Sequence, residues 1–213
     1  MWSGPRNIST ALMRSFGNRS DCHVTDEPFY PYFLYSTGLN HPMREEVLEE
    51  GETNYEKIVD SITGQIPCSK KIWYQKHMTH HIIPDMDLKW ISKMKNCLLI
   101  RHPKLVLSSY LKRNEIKSIR QLGYQQQVQI YEILSENADY IPIIIDAGEL
   151  ILNPEKMLIK LCKLIHIDFD RNMLSWPKGP RNTDGVWGKH WYKNVENSTE
   201  FKQLTKTNEQ IPL

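Results

Sequence analysis

The first dozen residues, Trp2-Ser3-Gly4-Pro5-Arg6-Asn7-Ile8-Ser9-Thr10-Ala11-Leu12-Met13, run from a small-residue turn carrying one arginine and two hydroxyls into an apolar-periodic segment. Such a junction suits an anion, because N–H groups at a helix start lack helical partners and face the positive end of the dipole. The nucleoside-triphosphate loop has the pattern G-x-x-x-x-G-K-[ST]. Counted from Gly4, this chain has Ser9 and Thr10 where Gly-Lys would stand, with its cation earlier, at Arg6. The loop reads as a phosphate cradle, but not one for ordinary ATP or GTP hydrolysis. A second segment, Leu98 to Tyr110, reads as a strand, a charged turn, a helix-starting Pro103 and serines on the helix. Arg101 and Ser109 can converge there on one anion, since arginine offers a planar fork and serine a further donor. The same residues are also compatible with a strand-capping arginine and a solvent-facing serine.

A proton acceptor has several candidates. His77 follows a strand-like run, and the imidazole pKa suits general base work. His77, His80 and His81 form H-x-x-H-H, in which His77 and His81 would share a helix face. A third metal ligand would have to come from Asp85 or Asp87, so no metal is expected. Asp26-Glu27-Pro28 fits the lining of an acceptor site and a helix start equally well. Asp146, at a strand end, reads as a helix cap. Trp187, Trp191 and Tyr192 form a cluster that either covers a ligand or packs a loop onto the core.

The elements that must position these residues alternate. Strand-like runs at Cys22–Thr25, Lys71–Gln75, Cys97–Ile100 and Ile141–Ile145 are each followed by helical signals. Helices are predicted over Ser9–Phe16, Tyr55–Ile62, Leu88–Met94, Pro103–Arg113, Tyr124–Asn137 and Glu155–Ile165. The alternation predicts an α/β fold, a single three-layer domain over residues 1–213 with a central parallel sheet flanked by helices. Ligands belong at the carboxyl ends of such strands, and His77, Arg101 and Asp146 lie at predicted strand ends. Residues 170–213 are rich in Trp, Gly, Pro and Lys and read as a C-terminal covering loop region. A cradle of this kind follows a buried strand, yet only Met1 and Trp2 precede it. A truncated first strand is expected, with Trp2 its remnant or the strand missing.

Composition narrows the function. Charge is nearly balanced at +2, and the basic residues are scattered, which does not suit nucleic-acid binding. No run approaches about 18 apolar residues, so no membrane span is expected. No signal peptide is evident. Cys22, Cys68, Cys97 and Cys162 form no C-x-x-C pair, and a reducing, cytoplasmic setting fits them.

The two anion-binding segments together resemble the sulfotransferase family, whose members carry a loop like P-K-S-G-T-T and a later R-x-P-x-x-x-x-x-S-Y. Here these read Pro5-Arg6-Asn7-Ile8-Ser9-Thr10 and Arg101-His102-Pro103 through Ser109-Tyr110. Pro177-Lys178-Gly179-Pro180-Arg181 followed by Gly185-Val186-Trp187 is similar to a third family element, and Pro154–Met157 through Phe169-Asp170 to its late helix. The opening W-S-G-P-R-N-I-S-T-A and Tyr74-Gln75-Lys76-His77-Met78 resemble a bacterial-type branch, relatives of which occur fused to aminotransferase-like domains. The resemblance implies a nucleotide-binding fold of P-loop type and sulfuryl transfer from 3′-phosphoadenosine 5′-phosphosulfate to a hydroxyl or amine of a small-molecule acceptor, without a metal. It implies that Arg6, Asn7, Ile8, Ser9 and Thr10 hold the 5′-phosphosulfate. Arg101, Ser109, Lys178, Gly179 and Arg181 would hold the 3′-phosphate, and His77 and Arg6 would be catalytic. The chain departs from the family at Arg6 for lysine, at Ile8 for glycine and at Ala11 for an adenine-stacking tryptophan, a role that Trp187 could take. It also departs in the adjacency of Lys76 and His77. The rival readings are a P-loop kinase and a nucleotide-binding relative without transfer activity. Acceptor-shaping loops are expected at Phe29–Gly51 and Ile116–Gly123, where Phe29, Tyr30, Tyr32, Phe33 and Tyr35 suit a partly apolar alcohol or core packing.

Overall fold

The computed structural model describes residues 1–136 and 141–201. Strand β1 is short, Trp2–Ser3, and runs through the loop at residues 4–8 into helix α1, Ser9–Gly17. Leu12, Met13 and Phe16 bury one face of α1, and the chain turns at Gly17 to enter β2, Cys22–Asp26. Helices α2 (Tyr30–Thr37), α3 (Arg44–Glu50) and α4 (Tyr55–Thr63) precede β3, Ile72–Met78. A one-turn 3-10 segment, Thr79–His81, follows directly. Then come β4 (Cys97–Ile100), α5 (Pro103–Leu111), α6 (Tyr124–Ser135), β5 (Ile143–Asp146), α7 (Ala147–Leu152) and α8 (Pro154–Ile165).

The sheet has the order β2-β3-β1-β4-β5 with every pairing parallel. The expected short first strand is therefore its middle: Trp2 stands in register with His77 on one side and Leu98 on the other. Because connections depart to both sides of β1, the loop that follows it lies at the topological switch point, where parallel sheets open a crevice. Side chains alternate across the sheet. Leu99 joins Leu12, Met13, Phe16, Ile145 and Leu158 in one apolar layer, while Leu98 joins Trp2, Phe29, Ile58, Ile62 and Ile130 in the other.

Three features correct the sequence reading. Residues 29–51, expected as a variable loop, form α2 and α3, with Tyr30, Phe33 and Leu34 buried. The predicted helix over Leu88–Met94 is a 3-10 turn, Lys89–Lys93. Strand β3 continues through Met78, so His77 and His81 lie on a strand and a turn rather than on one helix face. Asp146 is the expected cap, its Oδ1 accepting from the N–H of Gly148 and Glu149. Of the predicted helix Tyr124–Asn137, Asn137 lies outside the described residues.

The C-terminal region, described to Phe201, contains two single-turn helices, α9 (Gly188–Trp191) and α10 (Lys193–Glu196). It is strapped to α1 by a buried bidentate pair, Arg14 Nη1 and Nη2 donating to Asp184 at 2.5 and 2.6 Å. Ser15 Oγ adds a bond to the Met173 carbonyl. Residues 202–213 of the expected covering region lie outside the described residues.

Candidate functional site

The loop between β1 and α1 is held in an unusual backbone shape. Arg6 and Ile8 both have left-handed φ, 63° and 60°, a region that costs a β-branched residue strain and that gathers at ligand-binding turns. No side chain caps α1 at Ile8. Gly4 is required by close approach: a Cβ there would lie 2.7 Å from the Leu122 carbonyl oxygen. Asn7 is buried and donates through Nδ2 to the Leu99 carbonyl at 3.2 Å.

The second predicted segment meets this loop. Arg6 Nε donates to Ser109 Oγ at 2.8 Å, and Arg101 Nη1 donates to the Arg6 carbonyl at 2.7 Å. The eight-residue offset thus brings Arg101, at the end of β4, and Ser109, on α5, to one junction with Arg6. Burial first, then the neighbouring guanidiniums of Arg113 and Arg101, hold the Arg6 pKa below its ordinary value. Burial does the same to Arg101, partly offset by Asp146. Arg101 Nε is buried without a hydrogen-bond partner among the described residues. Cations crowded together around an unpaired buried donor favour an anionic ligand.

Next to the junction opens a cavity of about 410 Å³, of a size that suits a small ligand. Arg6, Ser9 and Thr10 border it at the cradle, and Glu27, Lys76 and Tyr192 border it more deeply. Tyr30, His41, His80, His81 and Trp191 also line it, as do Lys117 and Gln121 of the segment before α6. Lys76 is 1% exposed. Its Nζ donates to Asp26 Oδ1 at 2.9 Å, to Glu27 Oε1, and to the Tyr192 hydroxyl at 2.7 Å. That hydroxyl donates to Asp26 Oδ2 at 2.7 Å and accepts from Trp187 Nε1 at 3.2 Å. Burial alone would lower the Lys76 pKa, but Asp26 and Glu27 outweigh it and the ammonium is reinforced. Burial raises the Glu27 carboxyl above its usual range despite Lys76. Burial likewise keeps the histidines neutral, with His80 lowered to about 3 and His81 well below its ordinary value.

His77 does not line this cavity. Period-2 alternation along β3 turns Lys76 and Met78 toward the cavity and His77 to the other face. Its ring stacks on Trp2 at 4.5 Å, and its Nε2 lies 3.1 Å from Gln75 Oε1. It borders an enclosed gap with no room for water, partitioned from the cavity by Glu27, Met78 and His81. The sequence reading ended the strand at Gln75, which hid this alternation.

Lys178, Gly179 and Arg181 do not border the cavity either. Lys178 is exposed, Gly179 N–H donates to the Glu196 carbonyl, and Arg181 lines a separate cleft of about 420 Å³ with Arg14 and His23. Trp187 is buried edge-on against Tyr30, whereas Trp191 reaches the cavity. Among the acceptor-loop aromatics only Tyr30 lines it. Phe29 and Phe33 are buried, Tyr32 packs on Tyr55, and Tyr35 is exposed. The sequence reading singled out Tyr192 within an aromatic cluster and Lys76 beside His77, but not their meeting with Asp26, which lies 50 and 166 residues away in the chain. Among the described residues no cluster of three or more His, Cys, Asp or Glu could hold a metal, and no helix is long and apolar enough to cross a membrane.

Comparison with known proteins gives a consistent answer. The family described as "Sulfotransferase domain" matches residues 1–209. Two curated Arabidopsis thaliana proteins, branched-chain-amino-acid aminotransferase-like proteins 1 and 2, are 41% and 39% identical over all 213 residues. This chain spans 38% and 37% of their lengths. In structure it resembles the sulfotransferase domain from the curacin biosynthetic pathway (TM-score 0.54, 17% identity, covering 94% of this chain and 82% of that one). It also resembles the sulfotransferase domain from the Synechococcus PCC 7002 olefin synthase (TM-score 0.52, 17% identity, covering 89% and 81%). At that identity the likeness concerns the fold.

Proposed function

The chain belongs to the sulfotransferase domain family, and from that premise we propose that it transfers a sulfuryl group from 3′-phosphoadenosine 5′-phosphosulfate to a hydroxyl or amine of a small molecule. The observation that carries the donor assignment is the junction of Arg6, Arg101 and Ser109, with Arg101 Nε buried beside the cradle and unpaired among the described residues. The residues fit a donor with two anionic ends. Arg6, Asn7, Ile8, Ser9 and Thr10 would hold the 5′-phosphosulfate, and Arg101 and Ser109 the 3′-phosphate. Lys178, Gly179 and Arg181 stay outside the proposed site because none of them borders the cavity and Arg181 lines the other cleft.

When bound, the donor supplies the sulfuryl group and carries a second phosphate as a handle. Around it, Arg6 and the uncapped N–H groups of α1 would stabilise the charge that grows on the bridging oxygen during transfer. Arginine remains protonated there, so Arg6 would act through charge and not as a proton donor. The cavity beyond Arg6 would receive the acceptor, and its mixed lining, polar at Glu27, Lys76 and His80 and apolar or aromatic at Tyr30, Met78 and Trp191, suits a small, partly apolar acceptor. The proposed setting is cytoplasmic, in keeping with the cysteines that carry no disulfide.

The test is transfer itself. The chain is incubated with sulfur-35-labelled donor and a panel of small alcohols, sugars, phenols and amines. A labelled product that needs both donor and chain, and that Arg6→Met abolishes, is the expected result. Label that stays in the donor or is released only as sulfate across the whole panel would contradict the acceptor part of the proposal.

A further inference from the structure

We infer that the separate cleft beside Arg181 is a second ligand site, which takes a small carboxylate with a short apolar tail. The cleft lies at the amino half of β2, between α1 and residues 180–183, and β2 is an edge strand of the sheet. The cavity beside the cradle opens instead at the carboxyl end of β2 and the first turn of α1, where Glu27, Ser9 and Thr10 border it. The two openings have no lining residue in common. The second site therefore stands apart from the sulfuryl-transfer reading.

Charge in the cleft is unbalanced. Asp184 is the carboxylate of this corner, and both of its oxygens are engaged. They accept from Arg14 Nη1 and Nη2 at 2.5 and 2.6 Å, and Oδ2 also accepts from the Arg181 N–H at 2.8 Å. The Arg181 guanidinium donates through Nη2 to the Pro177 carbonyl at 2.7 Å, and among the described residues no carboxylate pairs with it. Burial first, and then the Arg14 guanidinium, hold its pKa below its ordinary value, partly offset by Asp184. Arg14, which also lines the cleft, keeps Nε buried without a hydrogen-bond partner among the described residues. Two guanidiniums with one carboxylate between them favour a further anion, and the planar fork of arginine matches a carboxylate.

The floor of the cleft is of another kind. The rim at Pro180, Asn182 and Thr183 is exposed, whereas Met13, Cys22 and Val24 are buried side chains. Burial pushes the Cys22 thiol up to about 11, so it stands there as a neutral, apolar group. At about 420 Å³ the cleft has room for a small ligand. A purely polar anion such as inorganic phosphate would leave the floor uncovered, and a neutral apolar molecule would leave Arg181 without a counterion. One guanidinium above an apolar floor selects an amphipathic monoanion. Bound there, it would bridge α1 and the C-terminal strap alongside the Arg14–Asp184 pair. It would thus join the helix that carries the cradle to the segment that carries Trp191 and Tyr192.

The experiment titrates the full chain with pentanoate and follows the methyl groups of carbon-13-labelled methionines by NMR, the Met13 resonance being assigned through Met13→Leu. The expected result is a saturable shift of Met13 at millimolar pentanoate. Acetate, which lacks the tail, and pentan-1-ol, which lacks the charge, should each bind about tenfold more weakly or worse, since each buried methylene contributes roughly fourfold in affinity. Arg181→Gln should weaken pentanoate by about tenfold or more, as for losing hydrogen bonds to a charged group, and Arg181→Lys should fall between. Hydrogen exchange in residues 178–184 should slow when pentanoate is bound. Should Arg181→Gln fail to fold, Arg181→Lys and the two comparator ligands carry the test. Saturating adenosine 3′,5′-bisphosphate should leave pentanoate affinity within threefold, because the two openings are separate. No saturable shift of Met13, equal binding of acetate or pentan-1-ol, or an affinity unchanged by Arg181→Gln would overturn the site. Displacement of pentanoate by the bisphosphate would overturn it too, by placing the carboxylate in the donor cradle.

Discussion

Lys76→Met should cost this protein a large part of its stability, and more at high pH than at low. Lys76 is the cation between Asp26 and Glu27 and also donates to Tyr192, all of them buried. Methionine matches the stem but leaves two carboxylates out of water with no countercharge. Removing one partner of a buried ion pair costs about 3–5 kcal/mol. For a chain of this size that corresponds to a melting temperature lower by roughly 6–20 °C. The pH dependence follows from Glu27. Its folded-state pKa already lies above the usual range through burial, and losing Lys76 raises it further. A carboxyl whose folded pKa exceeds its unfolded value binds more protons when folded. Stability is then present at low pH and is lost as pH rises through the window between the unfolded value, about 4.3, and the raised folded one. The gap between variant and wild type should therefore widen from pH 5 to pH 8. Urea unfolding of both chains at the two pH values measures it. A gap below about 1 kcal/mol, the level of an exposed surface ion pair, would refute the argument. So would a gap that is the same at both values.

Other consequences are equally direct. Arg101→Ala should weaken adenosine 3′,5′-bisphosphate binding by roughly tenfold or more, as expected for losing hydrogen bonds to a charged group. It should also remove the preference over the 5′-monophosphate, so undiminished preference in calorimetry would contradict the assignment of Arg101. Asp184→Asn, which breaks the bidentate pair with Arg14, should destabilise by on the order of 3 kcal/mol. It should also speed hydrogen exchange in residues 178–192, and unchanged exchange there would show that the pair does not fasten the C-terminal strap. Gly123→Ala should cost more than about 1 kcal/mol, since Gly123 has φ +73° and an added Cβ would fall 2.2 Å from Thr79 Oγ1. A neutral melting temperature would contradict it.

What the sequence made legible follows the range of the interactions. The β-α alternation is local, and the helix-starting prolines at 103 and 154 stand where the reading placed them. The Arg101–Ser109 spacing is local too, because eight residues over a turn and a helix start fix its reach. Helix α2 was hidden by its composition: Tyr30-Pro31-Tyr32-Phe33-Leu34-Tyr35 is rich in strand-favouring aromatics, and only burial of Tyr30, Phe33 and Leu34 overrides that tendency. The side of the sheet that His77 faces turns on one register step. A strand ending at Gln75 leaves the next residues free to point into a site, whereas one running to Met78 fixes Lys76 inward to the cavity and His77 away from it. The network of Asp26, Glu27, Lys76 and Tyr192 joins three distant parts of the chain, and no spacing rule links residues that meet only through the sheet and the C-terminal strap.

The most direct measurement of the central claim is thermal stabilisation by adenosine 3′,5′-bisphosphate, with ADP as comparator. A ligand that binds only the folded chain raises its melting temperature with concentration. The account requires the bisphosphate to raise it through the 3′-phosphate held by Arg101 and Ser109, and ADP, which lacks that phosphate, to do so far less. Stabilisation by ADP with none by the bisphosphate would contradict the sulfotransferase reading of the site and favour a kinase.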